Sequence, residues 1–205
     1  MAVVDDLVFR DLVACLPFAE AWHHRGAAVP LMLSVAEVQR TIDVFPLEYA
    51  SILADYEVVR GADPLKDVTV ALEDIREACE AQAKGHLIHL RESFLESHAE
   101  TTRVARLIAA SAAPLRALLT NIARLPDGGE RRGRDGRGVQ AAIPATDEAL
   151  ATMAEQRMGI SAAVVRDVLA TSAHGGASAI TDPAHLLSRY VDAAQKIWDY
   201  VDRWR

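Results

Sequence analysis

The chain has 205 residues, 51% of them hydrophobic and 25% charged, with a formal net charge of -7 at pH 7. That length and hydrophobicity support a buried core and exclude the low-hydrophobicity, high-charge regime in which chains stay disordered. The negative balance argues against broad electrostatic attachment to nucleic acid or to an anionic membrane, since both draw affinity from Lys and Arg.

The N-terminal stretch predicts a first helix over residues 3 to 24, with Val4, Leu7, Val8, Leu12 and Cys15 at helical spacing, Pro17 bending it and Gly26 closing it. Val29 to Leu33 is a short apolar run of strand length. It leads into Ser34 and Glu37, an S-x-x-E arrangement that opens a helix running to about Ile42. Phe45 and Pro46 mark a break. Glu48 to Val59, rich in aromatic and β-branched residues, reads as a second strand stopped by Gly61.

From residue 72 onward the pattern is helical. Ile75, Cys79, Ala83, Leu87, Leu90 and Phe94 trace one face of a long helix, and Ile88 with Leu95 suggest a second stripe and neighbours on two sides. The next helix carries Val104, Leu107, Ile108, Ser111, Leu115, Leu118, Leu119 and Ile122, with a kink expected at Pro114. Residues 126 to 142, dense in Gly and charge, read as a flexible loop. Two short helices follow over Thr146 to Arg157 and Ser161 to Thr171. After the Gly175-Gly176 break, Asp182-Pro183 opens a last helix with Leu187, Tyr190, Val191, Ala194, Ile197, Trp198 and Val201 on one face. The expectation is a mainly α protein. It would pair a two-strand α/β remnant at the N-terminus, residues 1 to 65, with a helical bundle of about four to six helices over residues 66 to 205.

Cys15 and Cys79 form no CxxC and fit reduced, buried thiols. No basic-then-apolar leader opens the chain and no uncharged apolar segment reaches about 18 residues. A cytoplasmic protein without a membrane span is expected.

Candidate chemistry is sparse. Arg91-Glu-Ser-Phe-Leu-Glu-Ser-His98 resembles the short Arg-to-His motif of the HEPN family of helical ribonucleases. In such a site the imidazole moves a ribose proton and the guanidinium neutralises phosphate charge, with both groups on one helix face. The plainer reading is a solvated helix end. His86 and His89, three apart with Glu92 on the same side, have the spacing to share a metal, but no clear third ligand accompanies them and packing or surface histidines are the plainer reading. His23 and His24 are adjacent and point to different faces. Trp22, Trp198 and Trp204 could stack a nucleotide ring, although Trp198 sits on the apolar stripe of the last helix. The arginines between 131 and 137 could contact phosphate, but acidic neighbours interrupt them. No phosphate loop, dinucleotide fingerprint, H-E-x-x-H pair or G-x-S-x-G elbow is present, and no cofactor is expected.

The stretch Asp43-Val-Phe-Pro-Leu-Glu-Tyr49, with Glu57-Val-Val-Arg-Gly-Ala-Asp-Pro-Leu65, Arg76-Glu-Ala-Cys-Glu80, Gly85-His-Leu87 and Leu90-Arg91, resembles bacterial nucleotidyltransferase-like proteins of the DNA polymerase β superfamily. The resemblance covers residues 20 to 125. It implies that residues 29 to 60 correspond to the last strands of a small α/β catalytic domain and residues 72 onward to a helical C-terminal domain. In that family a Gly-Ser signature and paired aspartates hold magnesium for nucleotidyl transfer. This chain has neither, and Asp5-Asp6 is no substitute because adjacent side chains diverge. Glu48 or Asp55 could supply at most a third, helper carboxylate; for Glu48 a capping or surface role is the plainer one.

The expectation is therefore a noncatalytic nucleotidyltransferase-like protein that works by binding a protein or a nucleotide. A protein partner would be another chain or a second copy, taken through the edge of an incomplete sheet. The alternatives are a metal-independent HEPN-like ribonuclease using Arg91 and His98, or a truncated relative with no present activity.

Overall fold

The structure, a computed structural model, describes residues 1–126, 143–172 and 176–204. It is mainly α-helical, with eight α-helices among the described residues and one two-stranded parallel sheet at the N-terminus. The total exceeds the four to six expected of the bundle because three of the eight precede residue 66; five lie in the bundle. The chain divides into two compact units, Met1–Ala71 and Leu72–Arg205. Among the described residues, no helix is long and apolar enough to cross a membrane.

The first unit contains strand β1 (Ala2–Val4), helix α1 (Phe9–His24), strand β2 (Met32–Ser34), helix α2 (Val35–Thr41) and helix α3 (Pro46–Ala54). The expected first helix starts late. Val3 and Val4 are β-branched and suit a pleated strand, and β1 pairs with β2 in the register Ala2↔Met32, Val3↔Leu33, Val4↔Ser34. The helix begins only where the Asp11 carboxylate accepts a hydrogen bond from the Val8 backbone N–H at 3.0 Å. β2 lies slightly beyond the expected run because Pro30, without an N–H, suits the approach to a strand better than its interior.

Ser34 caps α2 as its sequence signature predicts. The Ser34 Oγ accepts from the Glu37 N–H at 3.2 Å, and the Glu37 carboxylate accepts from the Ser34 N–H at 2.7 Å. The Ser34 backbone and hydroxyl hydrogen bonds together hold the Glu37 carboxyl below its ordinary range.

Of the second strand expected over Glu48 to Val59, residues 48 to 54 lie instead in helix α3 and residues 55 to 59 are irregular. Pro46 stands at its first turn and Glu48 follows it, where a carboxylate suits the positive end of the helix. Tyr49, Ile52, Leu53 and Tyr56 recur at i, i+3, i+4 and i+7, so spacing overrode residue type. Tyr49 turns inward with Val38 and Leu65 to form a small buried centre, flanked by half-buried Val3, Leu33 and Ile52. The hydroxyls of Thr41 and Tyr49 join α2 to α3 at 2.9 Å.

The second unit contains α4 (Leu72–Glu96), α5 (Thr101–Ile122), α6 (Asp147–Met158), α7 (Ala162–Ala170), a short 3-10 turn at Gly176–Ala179, and α8 (Pro183–Arg203). Its main interfaces are those of α4 with α5 and α8, of α5 with α7 and α8, and of α6 with α7. On α4 the expected face of Ile75, Cys79, Ala83, Leu87 and Leu90 is buried, but its last member, Phe94, is exposed. The second stripe is not covered either: Ile88 and Leu95 are exposed, and among the described residues of this unit the neighbours of α4, helices α5 and α8, leave that side open. Every residue expected on the inner face of α5 is buried, and α5 continues through Pro114. Thr146 caps α6 and Gly159 closes it with φ +65, while Asp182 and Pro183 open α8. The expected loop lies outside the described residues from 127 to 142, as does Gly175 of the expected Gly-Gly break.

Candidate functional site

Several polar groups of the bundle are tied to one another. His86 on α4 is buried and its Nε2 is hydrogen-bonded to the Tyr190 hydroxyl on α8 at 2.6 Å. Burial, with a smaller contribution from His89, pushes His86 down to about 4, so it is neutral at pH 7. Burial also pushes the Tyr190 phenol up. Cys79 has 0% exposure, and burial, opposed by nearby Arg124, pushes its thiol up to about 12. A thiol in that setting is a packing group and a poor nucleophile. The Arg116 guanidinium donates twice to Asp147, at 2.7 and 2.6 Å, joining α5 to the start of α6. Arg157 on α6 donates to the Leu125 carbonyl at 2.7 Å and to the Tyr200 hydroxyl at 2.8 Å.

The residues expected to carry chemistry are not assembled into a site. Arg91 donates to Gln195 Oε1 on α8 at 2.9 Å, and Gln195 in turn donates to Asp199 at 2.8 Å. His98 lies beyond the end of α4 in a left-handed turn, φ +52, and is exposed. The common helix face expected for Arg91 and His98 therefore does not form, because the helix stops at Glu96. His86 is turned into the bundle while His89 is exposed, so the two do not converge. Among the described residues no group of three or more His, Cys, Asp or Glu side chains is placed to hold a metal. Glu48 is exposed in the first turn of α3, and Asp55 follows the end of that helix. Trp198 lies under the Lys84 ammonium, 5.3 Å from the ring centre, and Trp204 donates its indole N–H to the Pro126 carbonyl at 3.1 Å. The arginine run at 131 to 137 falls outside the described residues.

A solvent-open cavity of about 370 Å³ lies between α7, the 3-10 turn and the start of α8. Its polar lining includes Asp167, Thr171, Asp182, His185 and Arg189. Charges of both signs line it, and Asp182 is already engaged in accepting from the His185 N–H at 3.0 Å.

The most unusual surface belongs to the first unit. Most large apolar side chains left exposed among the described residues are in it. None of the 16 residues of α1 is buried. Asp11, Cys15, Ala19 and Trp22, at spacings of four, four and three, make a half-buried line along the helix. Roughly a third of a turn away, Phe9, Leu12, Val13 and Leu16 form a second, apolar line, with Phe9 78% and Leu16 66% exposed. Phe18 is 57% exposed and stacks on Trp22 with ring centres 6.4 Å apart. The sheet is open too: among the described residues β1 and β2 pair only with each other, and each keeps one unpaired edge.

No protein-family model, curated protein or solved structure matches this chain.

Leu12, which shares helical spacing with Leu7, Val8 and Cys15 in the sequence, lies on the exposed line with Phe9 and Leu16, which that spacing does not pick out. A signal was present: apolar residues surround α1 on most sides, and a helix of that kind is normally covered by a larger body. The first unit, with a buried centre of Val38, Tyr49 and Leu65, is too small to supply one.

Proposed function

We propose that the chain is a binding protein whose N-terminal unit takes a protein partner and whose helical bundle serves as the stable platform. The observation that carries this reading is the open β1-α1-β2 unit. Parallel sheets are normally covered on both faces and extended by further strands, and a two-stranded sheet is marginal by itself. Here both outer edges are unpaired and the crossover helix exposes its apolar line. Strand addition and helix docking are the two ways in which such a unit is commonly completed.

The resemblance to nucleotidyltransferase-like proteins supports the same reading in part. A strand-helix-strand order with parallel pairing is the building unit of an α/β sheet, and a noncatalytic relative would retain it for association. Of the strands that the resemblance implies over residues 29 to 60, β2 is present, and the rest of that stretch holds helices α2 and α3 joined by irregular chain.

Capture of binding partners with wild-type protein and with a Phe9→Glu/Leu16→Glu variant tests the reading. The expected result is a defined partner held by the wild type and lost from the variant, with the bundle's thermal transition unchanged. Equal capture by both proteins, or none by either together with a monomeric wild type, would overturn it.

A further inference from the structure

We infer that the cavity between α7 and α8 binds a small zwitterion, an α-amino acid with an apolar side chain, its carboxylate on Arg189 and its ammonium on Asp167. This goes beyond the binding reading above, which concerns the first unit, and the two are tested separately.

The cavity, about 370 Å³, is at the lower end of the roughly 300–1,000 Å³ usual for small-molecule sites. Two of its walls are helical. On α7, Asp167 and Ala170 are three residues apart and Thr171 follows as the C-cap, so one face of the last turn lines the cavity. On α8, His185 and Arg189 are four apart and share a face.

Arg189 carries the argument. It is half-buried, yet among the described residues its guanidinium has no hydrogen bond and no ion pair. Other half-buried arginines of the bundle are engaged: Arg76 donates to Glu80, Arg116 to Asp147, and Arg157 to the Leu125 carbonyl. A guanidinium partly withdrawn from water keeps its charge, and its planar fork suits a carboxylate. The His185 imidazole, one turn before it, and the Thr181 hydroxyl bring further hydrogen-bond donors to the same cavity.

The opposite pole is Asp167, which likewise has no hydrogen bond or ion pair among the described residues. It stands in the last turn of α7, and the C-terminal end of a helix favours positive charge. Asp167 and Arg189 line one cavity without pairing with each other, which leaves both charges for a molecule placed between them. Ala170, Ile180 and Leu186 supply apolar lining for an aliphatic side chain.

Other small ligands match less well. Asp167 and Asp182 repel a phosphate or another dianion. A divalent cation lacks ligands, since among the described residues no group of three or more His, Cys, Asp or Glu is placed to hold one. A zwitterion adds no net charge and answers both poles.

The test is a chemical-shift titration of the isotope-labelled full chain with glycine, L-leucine and L-phenylalanine, each to about 10 mM. L-Leucine should bind and shift the amides of Asp167, Thr181 and Arg189. L-Leucine amide, which lacks the carboxylate, and 4-methylpentanoate, which lacks the ammonium, should each bind at least about tenfold more weakly, because each leaves one pole unpaired. Arg189→Gln and Asp167→Asn should weaken L-leucine by a similar factor. With no partner to lose, both variants should keep the wild-type melting temperature.

No binding of any of the three amino acids overturns the proposal, as does equal binding of either singly charged analogue. An L-leucine affinity unmoved by Arg189→Gln overturns it too, as does tighter binding of inorganic phosphate or Mg²⁺ than of any amino acid. The binding reading of the first unit fails on other grounds, in the capture experiment with Phe9→Glu/Leu16→Glu.

Discussion

The imidazole of His86 and the phenol of Tyr190 meet across the α4–α8 interface at 2.6 Å, both side chains buried and 104 positions apart in the chain. Burial of the imidazole at this contact makes the bundle sensitive to acid. His86 is held down at about 4 from 6.5. The unfolded chain therefore takes up a proton near pH 6.5 that the folded chain refuses until about pH 4. Stability is fully present above pH 6.5 and falls as the pH drops through that window, by on the order of 3 kcal/mol. Urea midpoints at pH 7.5 and 4.5 should show this loss. His86→Gln, which keeps a hydrogen-bonding group that does not titrate, should remove most of it.

Tyr190→Phe deletes one partner and leaves the buried His86 ring nitrogen without its hydrogen bond. A loss of about 1–3 kcal/mol at pH 7 is expected, read as a lower midpoint with an unchanged denaturant slope.

Cys79 and Cys15 should react very differently with a thiol reagent. Cys79 is buried with its thiol pushed up to about 12, while Cys15 is half-buried on the exposed α1. One thiol equivalent should titrate in the native protein and the second only as fast as the bundle opens. Fast labelling of both under native conditions would contradict the packing of α4.

Arg116 and Asp147 link α5 to α6 through two short, nearly parallel hydrogen bonds. The pair holds Asp147 below its ordinary range, but both side chains keep over a third of their exposure. Solvent screening limits the coupling to about 1 kcal/mol or less in a double-mutant cycle with Arg116→Met and Asp147→Asn, and high salt should reduce it further.

At Gly159, φ is +65 and nothing lies within 4 Å of where a Cβ would stand. Gly159→Ala should therefore cost only the left-handed backbone term, about 1 kcal/mol, seen as a lower melting temperature with no change in helix content.

Local chemistry made much of this fold legible in the sequence. The Ser34–Glu37 cap, Thr146, and Asp182-Pro183 each satisfy orphan backbone donors within a few residues, so they could be read without knowing what packs nearby. The inner face of α5 was equally clear because its spacing is regular over the whole helix. The errors arose where distant partners decide. Val3 and Val4 form a strand only because residues 32 to 34 come alongside, and Ile88 and Leu95 stay exposed because none of the described helices of the second unit packs on that side of α4. At α3 the β-branched and aromatic content outweighed the helical spacing of Tyr49, Ile52 and Leu53 in the sequence reading, and the spacing was the better guide. The exposed line of α1 was visible as excess hydrophobicity, but not as a surface.

Ser34 ends β2 and caps α2 with no residue between the two roles. A three-residue parallel pair has little of its own to prevent it from slipping along its partner. Moving the strand-to-helix junction by one residue would put Leu33 or Val35 in the capping position, and neither has a side-chain oxygen to receive the Glu37 N–H. The helix cap thus acts as a ratchet pawl for the sheet, and fixes which face of β2 presents Leu33 to the core.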